Sequence, residues 1–194
     1  MFLEAKVMLH VREQGFPCPE IYEVSGDGMD IVMERITGPT MVDAGAAHPW
    51  RLGALGAQLA QLHTDLHQLH APEWLGPAPV GEGHQIVHMD LHPLNVLMSP
   101  RGPVVIDWTN ARSGDPNADV VATWILLAAG EAPGGRVKSL AVSIGRRWLL
   151  RAFLKPFNKR DLQASLREVV EWKCLDGNMS PREVLRMRSL LDAS

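Results

Sequence analysis

The segment His88-Met89-Asp90-Leu91-His92-Pro93-Leu94-Asn95-Val96-Leu97, followed by Val104-Val105-Ile106-Asp107-Trp108, concentrates side chains able to do chemistry. Asp90 and Asn95 stand five residues apart, and Asp107 closes an apolar run twelve residues further on. Phosphoryl transfer needs few parts. One carboxylate must orient the attacking hydroxyl and accept its proton, and oxygen ligands must hold magnesium on the phosphates, whose charge the metal offsets. A loop between Asp90 and Asn95 lets both side chains face one cavity. Asp107, at the end of its apolar run, can meet the same metal from the other side. Magnesium suits such a set, since it takes few protein oxygens and completes its shell with phosphate and water. The plain alternative is a polar loop with capping residues, but caps do not demand this spacing.

Two histidine patterns compete for attention. His88, Asp90 and His92 alternate, and H-x-D-x-H can bind a transition metal as in a zinc hydrolase. Asn95 and Asp107 downstream favour magnesium chemistry instead, which leaves His88 to brace the loop and His92 to hydrogen-bond within it. His63, His67 and His70 each follow a leucine of one helical stripe. They are expected on a partly exposed flank rather than around a metal.

The elements that position these residues are legible in outline. Residues 2–14 read as a helix stopped by Gly15. Glu20–Ser25 and Met29–Arg35 read as strands joined at Gly26-Asp27-Gly28, a hairpin turn signal. Leu52, Leu55, Leu59, Leu62, Leu66 and Leu69 recur at steps of three and four, which predicts a core helix. Residues 71–84, with three glycines and three prolines, form a loop. Short strands are predicted at 85–87, 96–98 and 104–106, the last two separated by the turn Ser99-Pro100-Arg101-Gly102. Asp115 is an N-cap with Pro116 in the first helical position, and Gly130 ends that helix. Helices over 137–154 and 159–174 follow, and Ser180-Pro181-Arg182-Glu183 is a capping box opening a last one. The order predicts an α+β fold with its chemistry on loops.

His-x-Asp-Leu-His-Pro-x-Asn-Val-Leu, then Ile-Asp-Trp, then Gly114-Asp115-Pro116 with Asp119, resembles the aminoglycoside phosphotransferase and choline kinase-like family. These are small-molecule kinases of the protein-kinase fold, and D-x-x-x-x-N is the spacing of kinase catalytic loops. The resemblance implies Asp90 as catalytic base, Asn95 and Asp107 as magnesium ligands, and Asp119 as an anchor for the catalytic loop. It further implies that Val32-Met33-Glu34-Arg35-Ile36 is the hinge between lobes, where backbone groups near Glu34 and Ile36 meet the adenine of ATP. Glu4 falls where the family's first helix carries the glutamate that pairs a phosphate-binding lysine. Residues 1–37 are then the nucleotide-binding small lobe and 38–194 the helical catalytic and acceptor-binding lobe. No Gly-rich strand-turn-strand or lysine strand precedes the first helix here, and Lys6 points away from Glu4. A reduced small lobe, weak ATP binding and slow turnover are therefore expected. A catalytically silent kinase-like binding module is the rival reading.

The bulk numbers agree with a soluble enzyme. The 194 residues are 46% hydrophobic and 21% charged. The longest nearly uncharged apolar run, Val120–Ala129, is about half of a membrane span, and no export signal is visible. Two cysteines far apart, Cys18 and Cys174, suit reduced thiols in a cytoplasm. Residues 1–130 carry 6 basic and 15 acidic residues, whereas 131–194 carry 13 and 7. That asymmetry is read as solvated helix faces rather than a nucleic-acid surface. It also argues against a polycationic aminoglycoside and for a neutral or anionic hydroxyl acceptor. The oligomeric state stays open.

Overall fold

The computed structural model describes residues 2–26, 30–129, 136–177 and 179–192. Helix α1 (Phe2–Glu13) buries Ala5, Val7, Met8 and Val11 on one face. It stops as its sequence requires. Gly15 turns left-handed at φ 84°, its N–H meets the Arg12 carbonyl at 2.9 Å, and the Phe16 N–H returns to Val11 at 3.0 Å. Lys6 lies over the Trp74 ring at 4.0 Å, away from Glu4 as expected. An antiparallel pair follows, β1 (Ile21–Val24) and β2 (Ile31–Met33), shorter than predicted and bulged between Ile21 and Glu23. Asp27 and Gly28 of the expected turn lie outside the described residues, as does Gly130.

One helix was not anticipated. α2 (Met41–Ala47) is capped by Thr40, whose hydroxyl oxygen accepts the Asp43 N–H at 3.1 Å. Gly38, Pro39 and Gly45 disguise it as loop. A short 3-10 turn over Pro49–Arg51 leads into α3 (Leu52–Leu66), which buries Leu55, Leu59, Leu62 and Leu66. Leu69 lies past the helix end but still packs against the core.

The middle of the chain forms two more two-stranded ribbons. β3 (Gln85–Val87) leads into the Asp90 loop, and β4 (Val96–Ser99) with β5 (Gly102–Val105) forms the hairpin that delivers Asp107. The partner of β3 is β6 (Arg112–Gly114), absent from the predicted elements because a three-residue Arg-Ser-Gly strand has no periodicity to read. The sheets are thus three separate ribbons, β1-β2, β3-β6 and β4-β5.

Four helices complete the body: α4 (Pro116–Ala129), α5 (Arg136–Leu154), α6 (Lys159–Lys173) and α7 (Pro181–Asp192). The Asp115 carboxylate accepts the Asn117 N–H at 3.0 Å, the predicted cap of α4. The capping box of α7 closes as predicted. The Ser180 hydroxyl oxygen accepts the Glu183 N–H at 3.2 Å, and the Glu183 carboxylate accepts the Ser180 N–H at 3.0 Å. Trp108 is buried, whereas Trp50 is 77% and Trp148 62% exposed. Trp124 and Trp172 are partly buried and pack against the core.

α3 and α5 approach closely at Gly56, where a Cβ would overlap the Leu149 carbonyl oxygen and touch the Ala152 methyl at 2.9 Å. Gly56→Val should therefore force the helices apart. We expect a loss of about 2 kcal/mol, within the range for overpacking, read as a fall in melting temperature of roughly 6 °C. Gly53→Val, whose Cβ position meets nothing within 4 Å, serves as the control.

Candidate active site

The loop between β3 and β4 is suspended from two helices. Asp119 on α4 is fully buried. Its Oδ1 accepts the Met89 N–H at 2.6 Å, and its Oδ2 accepts the His88 N–H at 3.1 Å. Thr123, one turn on, donates its hydroxyl to the Leu91 carbonyl at 2.7 Å. α3 supplies the matching pair. His67 Nε2 donates to Asp119 Oδ2 at 2.8 Å, and His63 Nε2 lies 3.2 Å from both the Leu91 carbonyl and the Thr123 hydroxyl. Each pair is spaced i, i+4, so both members project from one helix face. The loop-anchoring role expected of Asp119 is what this geometry performs.

The expected histidine flank needs correcting. His63 is buried and His67 nearly so; His70 alone is exposed, and it lies beyond α3 in a bridge to Gln85. The leucine stripe of α3 is flanked by polar groups that turn inward because Asp119 and the loop carbonyls need partners. His63, His67 and Asp119 also converge closely enough for a metal. Both Asp119 oxygens and the His67 Nε2 are already hydrogen-bonded there, so the cluster is a bracing network.

Within the loop the backbone is unusual. Met89 adopts φ 62°, a left-handed conformation costing a bulky residue about 1–2 kcal/mol. Its side chain is buried and its N–H is fixed by Asp119. Asp107 has the same φ of 62°. These two are the non-glycine residues with positive φ among those described, and they lie directly before Asp90 and at the second carboxylate.

Asp90 has a side chain 20% exposed. The Asn95 amide donates to the Asp90 carbonyl at 3.0 Å and reaches the Asp90 Oδ2 at 3.3 Å. The Asn95 Oδ1 is thereby turned out of the loop. Main-chain bonds tie the second strand end to the first loop. The Ile106 N–H donates to the Asn95 carbonyl at 3.0 Å, and His88 Nε2 donates to the Ile106 carbonyl at 3.3 Å. Asp107, the next residue, therefore emerges beside Asn95, with its carboxylate exposed and unpaired among the described residues. His88 braces the loop as expected, its ring 4.8 Å from that of Trp108, which donates Nε1–H to Val105 beneath the site. His92 bonds within the loop, its Nδ1 accepting the Leu94 N–H at 3.2 Å. With His88 turned under the loop toward Ile106, H-x-D-x-H does not close around an ion.

Two nitrogen groups approach Asp90 Oδ1. His92 Nε2 is 3.7 Å away, and burial pushes that imidazole below its ordinary range. The Lys173 ammonium at the end of α6 is 3.8 Å away. Sequence reading missed Lys173, because eighty-three residues separate it from Asp90 and no local motif marks it.

In the segment expected to be the hinge, the Glu34 N–H is engaged by the Glu20 carbonyl at 2.7 Å, and its carboxylate pairs with Arg101 at 2.6 Å. The Glu34 side chain therefore faces the β4–β5 turn. Ile36 makes no main-chain hydrogen bond to a described residue. Glu4, in the first turn of α1, has no ion pair among the described residues. A cavity of about 790 Å³ opens by α6 and α7, lined among others by Val80, Arg167, Trp172, Cys174 and Leu191. Asp90, Asn95 and Asp107 do not line it. No helix of the described residues is long and apolar enough to cross a membrane. Cys18 is a free thiol, pushed up to about 11 by burial.

Comparison with known proteins decides the family. The phosphotransferase enzyme family APH matches residues 2–84 and 73–157, two overlapping stretches that span most of the chain. The chain belongs to this phosphotransferase family. None of the curated proteins compared with it matches in sequence. Among solved structures it is similar to an aminoglycoside-3'-phosphotransferase of type VIII, at 20% identity and TM-score 0.53, over 97% of this chain and 78% of that one. It is also similar to the ADP-bound aminoglycoside phosphotransferase APH(2'')-Ib, at 12% and 0.57, covering 97% and 80%. A choline/ethanolamine kinase family protein from Mesorhizobium loti matches at 14% and 0.55, covering 97% and 78%. At these identities the likeness is one of fold, a mixed α+β kinase-like architecture.

The bracing network should make the fold sensitive to acid. Burial pushes the imidazoles of His67 and His88 below their ordinary 6.5, so the folded protein holds them neutral. Unfolded, they take up protons as pH falls through 6.5, so their contribution is complete above that value and shrinks below it. Burial alone would raise Asp119, but the His63 and His67 rings hold it well below 3.8. Its contribution is present above that pH and is lost as pH falls through the lower folded value. Both effects have one sign. Melting temperature should fall from pH 7.5 to pH 5.5 and further below pH 4. Asp119→Asn, which sets an amide against two N–H donors, should destabilise by about 3 kcal/mol in the same melts.

Proposed function

We propose that the protein transfers the γ-phosphate of Mg-ATP to a hydroxyl of a small acceptor, with Asp90 as base. The observation that carries this reading is the fixed carboxylate of Asp90, held at Oδ2 by Asn95 on a loop hung from Asp119. Asp107 is presented alongside by the Ile106–Asn95 and His88–Ile106 bonds. The donor set fits a hard cation. The Asn95 amide nitrogen faces Asp90, which leaves its oxygen outward, and the Asp107 carboxylate oxygens have no described partner. Asn95 and Asp107 are the residues that would hold magnesium, and the ion when bound neutralises and orients the phosphate oxygens.

Asp90 then accepts a hydrogen bond from the acceptor hydroxyl and aligns its oxygen with the γ-phosphorus. As the new O–P bond forms and the bond to ADP breaks, the hydroxyl proton passes to the Asp90 carboxylate. The open main chain at Ile36 and the Glu34 carbonyl would meet adenine. We assign residues 1–37 to the nucleotide side and 38–194 to the catalytic and acceptor side. Substrate class follows the charge balance of the C-terminal helices, 13 basic against 7 acidic residues over 131–194, which favours a neutral or anionic acceptor.

A kinase-like binding module without turnover is the second reading, favoured by a Glu4 that has no cationic partner among the described residues. Thermal melts separate the two. ATP with magnesium should raise the melting temperature, by the equivalent of about 2.7 kcal/mol at a hundredfold excess over Kd, and ATP with chelator should not. Asp107→Asn should abolish the magnesium-dependent part. Asp90→Asn should keep ATP binding yet lower turnover by about 10²–10⁴-fold in a screen of hydroxylated metabolites for ATP consumption. A melt indifferent to Mg-ATP leaves the binding-module reading standing instead. Aminoglycoside protection in cells, lost in Asp90→Ala, would overturn the acceptor class.

A further inference from the structure

The ammonium of Lys173 sits where no element near the catalytic loop in sequence could place it. The residue ends α6 and is only 5% exposed, rare for a lysine, which ordinarily extends its ammonium to water. Its Nζ lies 3.0 Å from Asp176 Oδ2, 3.8 Å from Asp90 Oδ1 and 5.4 Å from the centre of the Trp172 ring. A lysine serving only the helix end would be satisfied by Asp176 at i+3 with its stem in solvent. This one is drawn inward instead, toward the oxygen of Asp90 opposite the Asn95 contact. Among the described residues it is the lysine or arginine paired with Asp90 or Asp107, His92 being held toward its neutral form by burial.

Resting on the reading of Asp90 as base, we propose that Lys173 is a positioning residue for the reaction, fixing the Asp90 carboxylate from the α6 side. Asn95 donates to Oδ2 at 3.3 Å and the Lys173 ammonium faces Oδ1 at 3.8 Å, an ion-pair distance, so the carboxylate is bracketed from both sides. The fixed charge also offsets the repulsion between Asp90 and the incoming phosphates, a task otherwise left to the metal alone. Because Lys173 belongs to the helices that would bind the acceptor, acceptor docking and base alignment share one element.

The test compares Lys173→Met, which keeps length and loses charge, with Lys173→Arg, which keeps charge, and with Lys173→Gln as a second neutral variant. The probe is magnesium-dependent release of ADP from ATP, with water as the default acceptor. Lys173→Met and Lys173→Gln should lower kcat about 10–100-fold with KM for ATP changed less than twofold, and Lys173→Arg should recover much of the rate. A purely structural lysine would lower the melting temperature of the neutral variants and leave kcat per folded molecule unchanged, which overturns the proposal. A crystal structure of Lys173→Met gives a readout independent of turnover. Loss of the Asp90–Asn95 contact supports the clamp, and an unmoved carboxylate overturns it. Asp90→Asn run in parallel separates the two failures. If it is inactive while Lys173→Met runs at full rate, only the clamp fails; if it is fully active, the base assignment fails.

Discussion

A single buried carboxylate organises the reactive part of this protein. Asp119 accepts two consecutive main-chain N–H groups, His88 and Met89, and a ring N–H from His67. Unpaired, a buried carboxylate would be strongly unfavourable; unaccepted, the two amides would be buried orphans. Each needs the other. The arrangement also holds Met89 left-handed, a conformation its side chain disfavours, and so sets the direction in which Asp90 leaves the loop. Three helices meet at this point: α4 brings Asp119 and Thr123, α3 brings His63 and His67, and α6 brings Lys173 to the far side of Asp90.

The strain at Met89 and Asp107 belongs to the same logic. Left-handed non-glycine residues persist only where surrounding bonds over-determine them. At Met89 that role falls to Asp119 and a buried side chain. At Asp107 the bonds flanking Ile106 tie the preceding residue to Asn95 and His88. Apolar packing beneath, with Trp108 between Phe16 and His88, keeps both loops from relaxing. Stability and site geometry are therefore coupled through the same few contacts.

Much of this was legible in the chain itself. The leucine stripe of α3, the Gly15 stop of α1, the Asp115 cap of α4 and the capping box of α7 are local signals. Each acts within a turn or two, and each forms. The loop of Asp90 and Asn95 and the hairpin before Asp107 were readable because both are short and bounded by local turn signals. What escaped was non-local or too short to have a period. β6 becomes a strand only because β3 lies beside it. α2 is hidden by glycine and proline. The inward turn of His63 and His67 depends on a partner over fifty residues away.

The sequence by itself determined most of the helices, several of their caps and stops, and the family of loop that carries the carboxylates, since caps, stops and apolar periods are properties of neighbouring residues. Only tertiary structure decided which polar side chains lie inside, that Met89 and Asp107 are left-handed, and that Lys173 reaches Asp90. The reason is physical: burial and ion pairing depend on distance through space, which strings of residue types encode only after helices have packed.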